Sequence, residues 1–182
     1  LTESRSLQNG SVYIAASEVA LRCALLPVLK KFRIIYPGVH IRISNHSTPQ
    51  AIDALKDGVA DIAVVTTPTV HSSSLVETVV KPITEVAVCS PYFRELTDRQ
   101  VTLAELTSFP LISLGKDTKS FEFFSALFTT HGLSYKPDIE AFTADQILPM
   151  VEADLGIGFL PEDFLREGDG ICRIDLKEEI PR

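Results

Sequence analysis

The sequence lacks any apolar run long enough to cross a lipid bilayer. Its first ten residues, LTESRSLQNG, are polar and lack the apolar centre of a secretory signal peptide. A mature secreted protein would lack that centre as well. The two absences therefore predict a protein without membrane contact and favour the cytoplasm as its location, with secretion left open.

Cysteine is scarce, and Cys23, Cys89 and Cys172 are far apart and odd in number. A disulfide framework is therefore not expected, and no cysteine pair has the spacing of a metal site. The four histidines are equally scattered, and none lies near a cysteine or serine in a catalytic motif. We predict small buried cysteines in a reducing compartment, with neither a metal nor a cofactor.

The usual enzyme motifs are also missing. The sequence has no GxSxG nucleophile elbow. The stretch Gly156-Ile157-Gly158 precedes an apolar strand and not a helix, which excludes it as a dinucleotide-binding loop. We expect these glycines to let the preceding helix close against that strand. The sequence does not predict an enzyme, although an enzyme on a two-lobed scaffold stays an alternative.

Basic residues are too few for this chain to bind nucleic acid by itself. The 17 Lys and Arg residues are outnumbered by 24 Asp and Glu, which gives a net charge of -7. A surface of that sign repels a phosphate backbone. The 182 residues, 45% of them hydrophobic, suffice for one domain or two small ones with a proper core.

Strands and helices alternate along the first part of the chain. An apolar run is followed by a helix, an alternating strand, a second helix and another apolar strand, predicted at residues 12–16, 17–36, 39–44, 48–58 and 60–67. Pro27 predicts a kink in the first helix or a helix start just before it. Thr48 is the expected N-cap of the second helix, with Val59 facing inward. This β-α-β-α-β order is typical of a mostly parallel sheet.

The pattern changes in the second part. We predict two short strands on either side of Lys81-Pro82, the second of which leaves the first domain. Thr143 and Gln146 predict a capping box at a helix start, with Phe142 and Ile147 as its hydrophobic staple. The remaining elements are a short helix after Thr102, a phenylalanine-rich helix that Gly132 ends, and strands at 111–114, 137–142, 157–161 and 170–176.

Hydroxyl groups recur where predicted strands lead into helices, namely at Ser17, at Ser47 and Thr48, from Gly115 to Thr118, and at Thr143. The carboxyl ends of parallel strands share one edge of a sheet, where ligands bind. Helix N-termini there offer N–H donors and a partial positive charge. The set predicts a site for a small polar ligand, especially a carboxylate or another oxyanion. Each hydroxyl alone is also explained as a helix cap, and Lys116 either pairs with an anion or is solvated.

Four segments together resemble the effector-binding domain of LysR-type transcriptional regulators: GSVYIAAS, LLPVLKKFRIIYPGVHIRI, LKDGVADIAVV and VEADLGIGFLP. The resemblance covers residues 10–161. It implies an α/β fold of two Rossmann-like subdomains, of the type 2 periplasmic-binding-protein fold, with a ligand cleft between them. Subdomain I would comprise residues 1–83 plus 161–182, the final strand returning to it, and subdomain II residues 84–160.

The resemblance also implies a function. The chain would sense a small polar, anionic effector and transmit its binding to an N-terminal winged helix-turn-helix that this sequence lacks, with residues 1–10 as the end of the linker helix. Promoter DNA would be bound only through that missing domain, by a homodimer or tetramer. The family's effector contacts correspond to Ser17, Ser47, Thr48 and Thr66 on one wall, and to Leu114, Gly115, Lys116 and Thr143 on the other.

Three questions stay open at this point: the class of protein, the role of one helix and the identity of the effector. A solute-binding protein of an ABC transporter would share the fold and the cleft, although three unpaired cysteines disfavour it. The phenylalanine-rich helix, residues 121–128, is apolar on more than one face. Such a helix either contacts a second copy of the chain or lies deep in its own core. Some family pockets carry an arginine at the position of Thr66, so the effector's identity does not transfer.

Overall fold

The computed structural model describes residues 9–67 and 69–182. The expectation that the first residues end a linker helix falls mostly on residues 1–8, outside this described part. The chain divides into two compact units, Leu1–Pro82 and Ile83–Arg182.

The first unit has the predicted alternation of strands and helices. Its elements in chain order are β1 (Ser11–Ala16), α1 (Glu18–Ala20), α2 (Leu26–Ile35), β2 (His40–Asn45), α3 (Thr48–Lys56) and β3 (Ile62–Val64). The strands form a parallel sheet in the order β2-β1-β3. The prediction of a parallel β-α-β-α-β arrangement is therefore confirmed for this unit.

Pro27 explains an irregular turn between α1 and α2. Residues Leu21–Leu25 form a π-helical turn, and Leu26 N–H donates to the carbonyl of Leu21. Proline has no N–H to continue a hydrogen-bond ladder, so the regular helix restarts just before it and places Pro27 in the first turn of α2. This is one of the two alternatives that the sequence left open.

Small side chains dominate the core of the first unit. One face of β1 packs Ala15 against Ala51 and Ala60, while Ile14 and Leu25 pack on the opposite face. Val59 is 61% exposed, so the expectation that it faces inward is wrong. It follows α3 and the positive-φ residue Gly58, where the chain has already left the helix.

The second unit contains more strands and a larger core. Its elements are β4 (Glu85–Cys89), β5 (Gln100–Val101), α4 (Leu103–Leu106), β6 (Ile112–Leu114), α5 (Lys119–Thr130), β7 (Ile139–Ala141), α6 (Ala144–Glu152), β8 (Gly158–Pro161) and β9 (Cys172–Leu176), with short 3-10 helices at Pro91–Leu96 and Glu162–Phe164. Four strands pair in the order β5-β9-β4-β8, and β6 pairs with β7 in parallel. A parallel bridge between Leu111 and Ile157 joins the two groups.

Aromatic side chains fill this second core. The Phe124 and Phe159 rings stack with centroids 4.5 Å apart, and Phe128 contacts Tyr135 with centroids 5.0 Å apart. The phenylalanine-rich helix α5 thus packs into the core of its own unit, the second of the two roles left open for it. A Cβ on Gly158 would lie 2.8 Å from Ile147 Cγ2, which confirms that this glycine lets α6 close against β8.

Three predicted features of the chain path differ from the structure. The last strand does not return to the first subdomain, because β9 pairs with β4 and β5 inside the second unit. Residues 161–182 therefore belong with 83–160 by contact. Of the two strands expected around Lys81-Pro82 only β4 forms, since the residues before the proline have no strand partner among the described residues. The strand expected over 60–67 shortens to β3.

Candidate functional site

The first unit gathers its four predicted site residues at one edge of its sheet. Ser17 follows β1, Ser47 and Thr48 follow β2 by two and three residues, and Thr66 follows β3 by two. The three parallel strands end in one row, because Ala16 is in register with both Asn45 and Val64. Adjacent strands lie about 4.8 Å apart. The four residues therefore share the carboxyl edge of this sheet, as the sequence predicts.

Ser17 occupies the centre of that edge. Its Oγ accepts a hydrogen bond of 3.3 Å from Ala20 N–H and caps α1. Its backbone N–H donates to the carbonyl of Val64 at 3.1 Å, which holds it between β1 and β3. The cap uses the oxygen only as an acceptor, and a serine hydroxyl also carries one donor. Ser17 can therefore cap the helix and donate to an oxyanion at the same time.

Ser47, and not Thr48, is the N-cap of α3. Ser47 Oγ accepts from Gln50 N–H at 3.4 Å, while Gln50 Oε1 accepts from Ser47 N–H at 3.1 Å, which completes a capping box. The expectation for Thr48 is wrong by one residue, because proline is accepted at the second helical position as well as the first. Thr48 becomes the first residue of the helix, beside the same edge.

The second unit brings its predicted residues together at an edge of its own. Gly115 and Lys116 follow β6, Thr143 follows β7, and the ends of these parallel strands are level because Leu114 is in register with Ala141. The turn is closed by Thr118, whose Oγ1 donates to the Gly115 carbonyl at 2.7 Å and accepts from Phe121 N–H at 3.2 Å. Thr118 is thus the cap of α5.

Carboxylates surround Gly115, which the sequence did not indicate. A Cβ at this position would lie 2.9 Å from Asp117 Oδ1 and 3.0 Å from Glu140 Oε1. Gly115 is buried and Lys116 is exposed. The negative charge at this point opposes an anion beside Gly115, and Lys116 is the nearest base in sequence to balance it. The first unit's edge is the more suitable place for an anionic group.

Thr143 differs from the other helix-start hydroxyls. It has N-cap backbone geometry, but its side chain makes no capping hydrogen bond. Gln146 Oε1 accepts from Phe142 N–H at 2.8 Å instead, so the predicted capping box is wrong. The predicted staple is wrong too, because Phe142 is 90% exposed while Ile147 is buried. The Thr143 hydroxyl is therefore not engaged in holding its helix.

Glu85 is a charged residue at the same edge that was not predicted as a site residue. Glu85 pairs with Pro161 at the end of β8, and β8 runs parallel to β6 through the Leu111–Ile157 bridge. Its Oε2 is buried without a hydrogen-bond partner among the described residues. Burial raises the pKa of this carboxyl to about 7. The signal in the sequence was an isolated acid within the apolar run ITEVAVC.

The described residues were also compared with the requirements of a metal site and of a membrane-spanning helix. Nowhere in residues 9–67 and 69–182 do three or more His, Cys, Asp or Glu side chains group so that they could hold a metal ion. Within the same ranges, every helix is too short or too polar to span a bilayer.

Comparison with known proteins assigns the family. A family model described as the LysR substrate binding domain matches residues 5–182. The HTH-type transcriptional regulator CysB of Burkholderia cenocepacia is 28% identical over 154 residues, which cover 85% of this chain and 49% of that protein. The chain thus spans about half the length of the curated relatives it matches.

Solved structures with the same fold point the same way. The crystal structure of HinK, a LysR family transcriptional regulator from Pseudomonas aeruginosa, superposes with a TM-score of 0.79 at 22% identity, covering 98% of this chain and 63% of that one. The BenM effector binding domain with its effector benzoate gives 0.75 at 19% identity, covering 93% and 78%. These matches confirm the α/β fold of the periplasmic-binding-protein type. The family model and the curated relatives favour a regulator over a transporter's binding protein. The chain belongs to the LysR substrate-binding domain family.

Proposed function

We propose that this chain is the effector-sensing part of a LysR-type transcriptional regulator and that it binds a small polar, anionic effector. The effector contacts come from the carboxyl edges of both units, which serve as regulatory subdomains I and II. The residues proposed to contact it are Ser17, Ser47, Thr48, Thr66, Gly115, Lys116 and Thr143.

One observation carries this proposal: Ser17, Ser47 and Thr66 follow directly or by two residues the ends of three adjacent parallel strands, on one edge of the sheet. Two of these hydroxyls cap helices, so helix N-termini with their partial positive charge meet the same edge. Each capping oxygen retains its O–H donor. Donors and helix ends that converge in this way stabilise an oxyanion.

The charges of the two edges suggest how the effector is oriented. The first unit's edge offers hydroxyl donors, whereas Asp117 and Glu140 lie beside Gly115 in the second unit. We place the anionic group of the effector on the first edge and its hydroxyl or other donor group near Gly115, with Thr143 as a further partner. A carboxylate effector, benzoate, is named for the related BenM domain.

Regulation then follows from a difference in affinity. An effector shifts the protein towards one arrangement only to the extent that it binds that arrangement more tightly. We propose that promoter DNA is bound in the cytoplasm by a DNA-binding domain outside this chain, because the chain's own net charge of -7 repels phosphate. No reaction is assigned to the chain, since its named relatives are transcriptional regulators.

A second copy of the chain is the proposed protein partner, in a homodimer or tetramer. The helix α2 exposes large apolar side chains along its length, Leu26, Val28, Ile34 and Ile35, between 48% and 75% of their surface. Exposed apolar surface of this kind marks contact sites. The exposed side chains of α2 thus support a contact between two copies. The phenylalanine-rich helix does not, because its apolar faces pack within its own unit.

The effector site is tested by calorimetry on three variants, each of which removes one proposed contact. A thermal-shift screen of benzoate, other small carboxylates, amino acids, sugar phosphates, sulfate and phosphate identifies the ligand, because binding raises stability by mass action. Ser17→Ala, Thr66→Val and Lys116→Ala are each expected to weaken its binding about tenfold or more, since each loses a hydrogen bond or ion pair to a charged group.

Matched control variants lie before the strands of the second unit, at the opposite edge. Ser108→Ala, Thr107→Val and Lys136→Ala change exposed residues of the same types and should bind the ligand as the unaltered chain does. Unchanged affinity in all three test variants would move the site elsewhere.

A further inference from the structure

Cys89 and Cys172 are far apart in sequence but lie opposite each other on two adjacent, paired strands. Cys89 ends β4, Cys172 begins β9, and the two residues are direct partners in the antiparallel register. The Cα atoms of such partners lie about 4.5–5.5 Å apart, and their side chains point to the same side of the sheet. A disulfide spans Cα atoms about 4.4–6.8 Å apart. The backbone therefore already has the separation that the bond requires.

The surroundings of the two sulfur atoms agree with this proximity. Cys89 belongs to the aromatic core cluster of the second unit, and Cys172 packs against the same cluster. Both thiols are free. Burial, and then the neighbouring Cys172 thiol, raise the pKa of Cys89 to about 11, so the two groups are close enough to interact. The third cysteine, Cys23, is buried and belongs to the first unit.

We propose that Cys89 and Cys172 are a dithiol pair that a peroxide oxidises to a reversible cross-strand disulfide. Cys172 is the more exposed of the two and reacts first. Its thiolate attacks one peroxide oxygen, the O–O bond breaks, and the hydroxide that leaves takes up the thiol proton as water. The product is a sulfenic acid on Cys172.

Cys89 completes the oxidation. Its sulfur attacks the Cys172 sulfur, the S–S bond forms, and the S–O bond breaks. The leaving hydroxyl departs as water with the Cys89 proton. In total, the two thiols lose two electrons and two protons, and one peroxide becomes two water molecules. Because Cys89 is fully buried and its pKa is high, the second step is expected to be the slow one.

The disulfide would link the first strand of the second unit to its last described strand. β4 is the first strand after the unit boundary at Ile83, and β9 is the last strand described. In the reduced protein the two strands are joined by their antiparallel pairing and by side chains that pack in the same core cluster, without a covalent bond. Oxidation would lock it covalently, so the second unit should resist unfolding more strongly in the oxidised form.

Peptide mapping after peroxide treatment tests the pair directly. The reduced, folded chain is incubated with hydrogen peroxide, its remaining thiols are alkylated, and it is digested without reductant. The expected product is a linked peptide pair containing Cys89 and Cys172, lighter by two hydrogen atoms than the sum of the free peptides and separated by dithiothreitol. The oxidised chain should also melt at a higher temperature than the reduced chain.

Variants of single cysteines supply the controls. Cys23→Ser should form the same linked pair, whereas Cys89→Ser and Cys172→Ser should not. The Cys23→Ser chain keeps the test valid where a variant of the pair fails to fold, because it retains both cysteines. Peroxide treatment that leaves both thiols open to alkylation, stops at a sulfenic or sulfinic acid on Cys172, or links either cysteine to Cys23 would overturn the proposal.

Discussion

The two units build similar strand-to-helix edges on very different cores. Alanines fill much of the interior of the first unit, where Ala15 packs against Ala51 and Ala60. Stacked aromatic rings fill the second, with Phe124, Phe128 and Phe159 among them. The position of an edge residue such as Ser17 or Gly115 depends on strand register, which a small core and a large core can specify equally well.

The first unit leaves more large apolar surface uncovered than the second. Ile34 and Ile35 on α2 are 75% and 66% exposed, and Val28 is 54% exposed. In the second unit, by contrast, the phenylalanine-rich helix α5 turns Phe124, Leu127 and Phe128 into the core and buries them. The exposed apolar surface of the first unit is therefore the stronger candidate for contact with a partner.

The largest expected effect comes from the aromatic core. Phe128→Ala should lower the free energy of unfolding of the second unit by about 3–5 kcal/mol, because it removes a fully buried ring and leaves a cavity. Hydrogen exchange of the amides of β4 and β8, whose residues belong to that unit, measures the loss. Phe142→Ala is the control, since 90% of Phe142 is exposed, and it should change stability by less than about 0.5 kcal/mol. Equal effects of the two variants would contradict the comparison.

Glu85 gives the second unit a dependence on pH through a carboxyl oxygen that is buried without a hydrogen-bond partner among the described residues. Its pKa is raised from 4.5 to about 7 by burial. The unfolded chain releases this proton near pH 4.5, but the folded chain holds it until about pH 7. Stability is therefore full below pH 4.5, falls as the pH rises between these values, and stays lower above them. The loss amounts to about 3 kcal/mol at most.

Glu85→Gln tests this dependence because glutamine has the same shape without the ionisable proton. Denaturant unfolding at pH 5 and pH 8 should show a smaller loss of stability between these values for the variant than for the unaltered chain. Glu152→Gln, on an exposed helix residue, should leave the pH dependence unchanged and serves as control. A Glu85→Gln chain with an unaltered pH profile would mean that the carboxyl is hydrated in solution.

Much of this arrangement could be predicted from the sequence, because strand and helix patterns are local. The alternation in the first unit and the edge positions of Ser17, Ser47 and Thr66 follow from hydrophobic periodicity and turn residues. The N-cap of α3 was predicted one residue too late, at Thr48, because Pro49 was placed at the first helical position. The spacing of Ser47 and Gln50 matches the capping box that the structure has, and it was the signal for the correct cap.

Features that depend on contacts between residues distant in sequence could not be predicted from the sequence. The pairing of β9 with β4 inside the second unit, and with it the meeting of Cys89 and Cys172, is set by strand register and not by local pattern. The same holds for the carboxylate of Glu140 beside Gly115. The capping box predicted for Thr143 and Gln146 does not form, for a different reason. Gln146 Oε1 accepts from the N–H of Phe142, one residue before the N–H that a capping box requires.

The smallest effect on folding is expected at the exposed apolar surface of the first unit, where association should change instead. Ile35→Gln should alter the free energy of unfolding by no more than about 0.5 kcal/mol, because the side chain is largely solvated. Removing apolar area from a contact weakens it, so sedimentation at matched concentrations should show a larger monomer fraction than for the unaltered chain. Lys31→Gln, on the same helix, removes no large apolar side chain and should sediment as the unaltered chain does. Identical sedimentation of all three chains would mean that α2 is not where two copies meet, and the uncovered surface of the first unit would then need another partner.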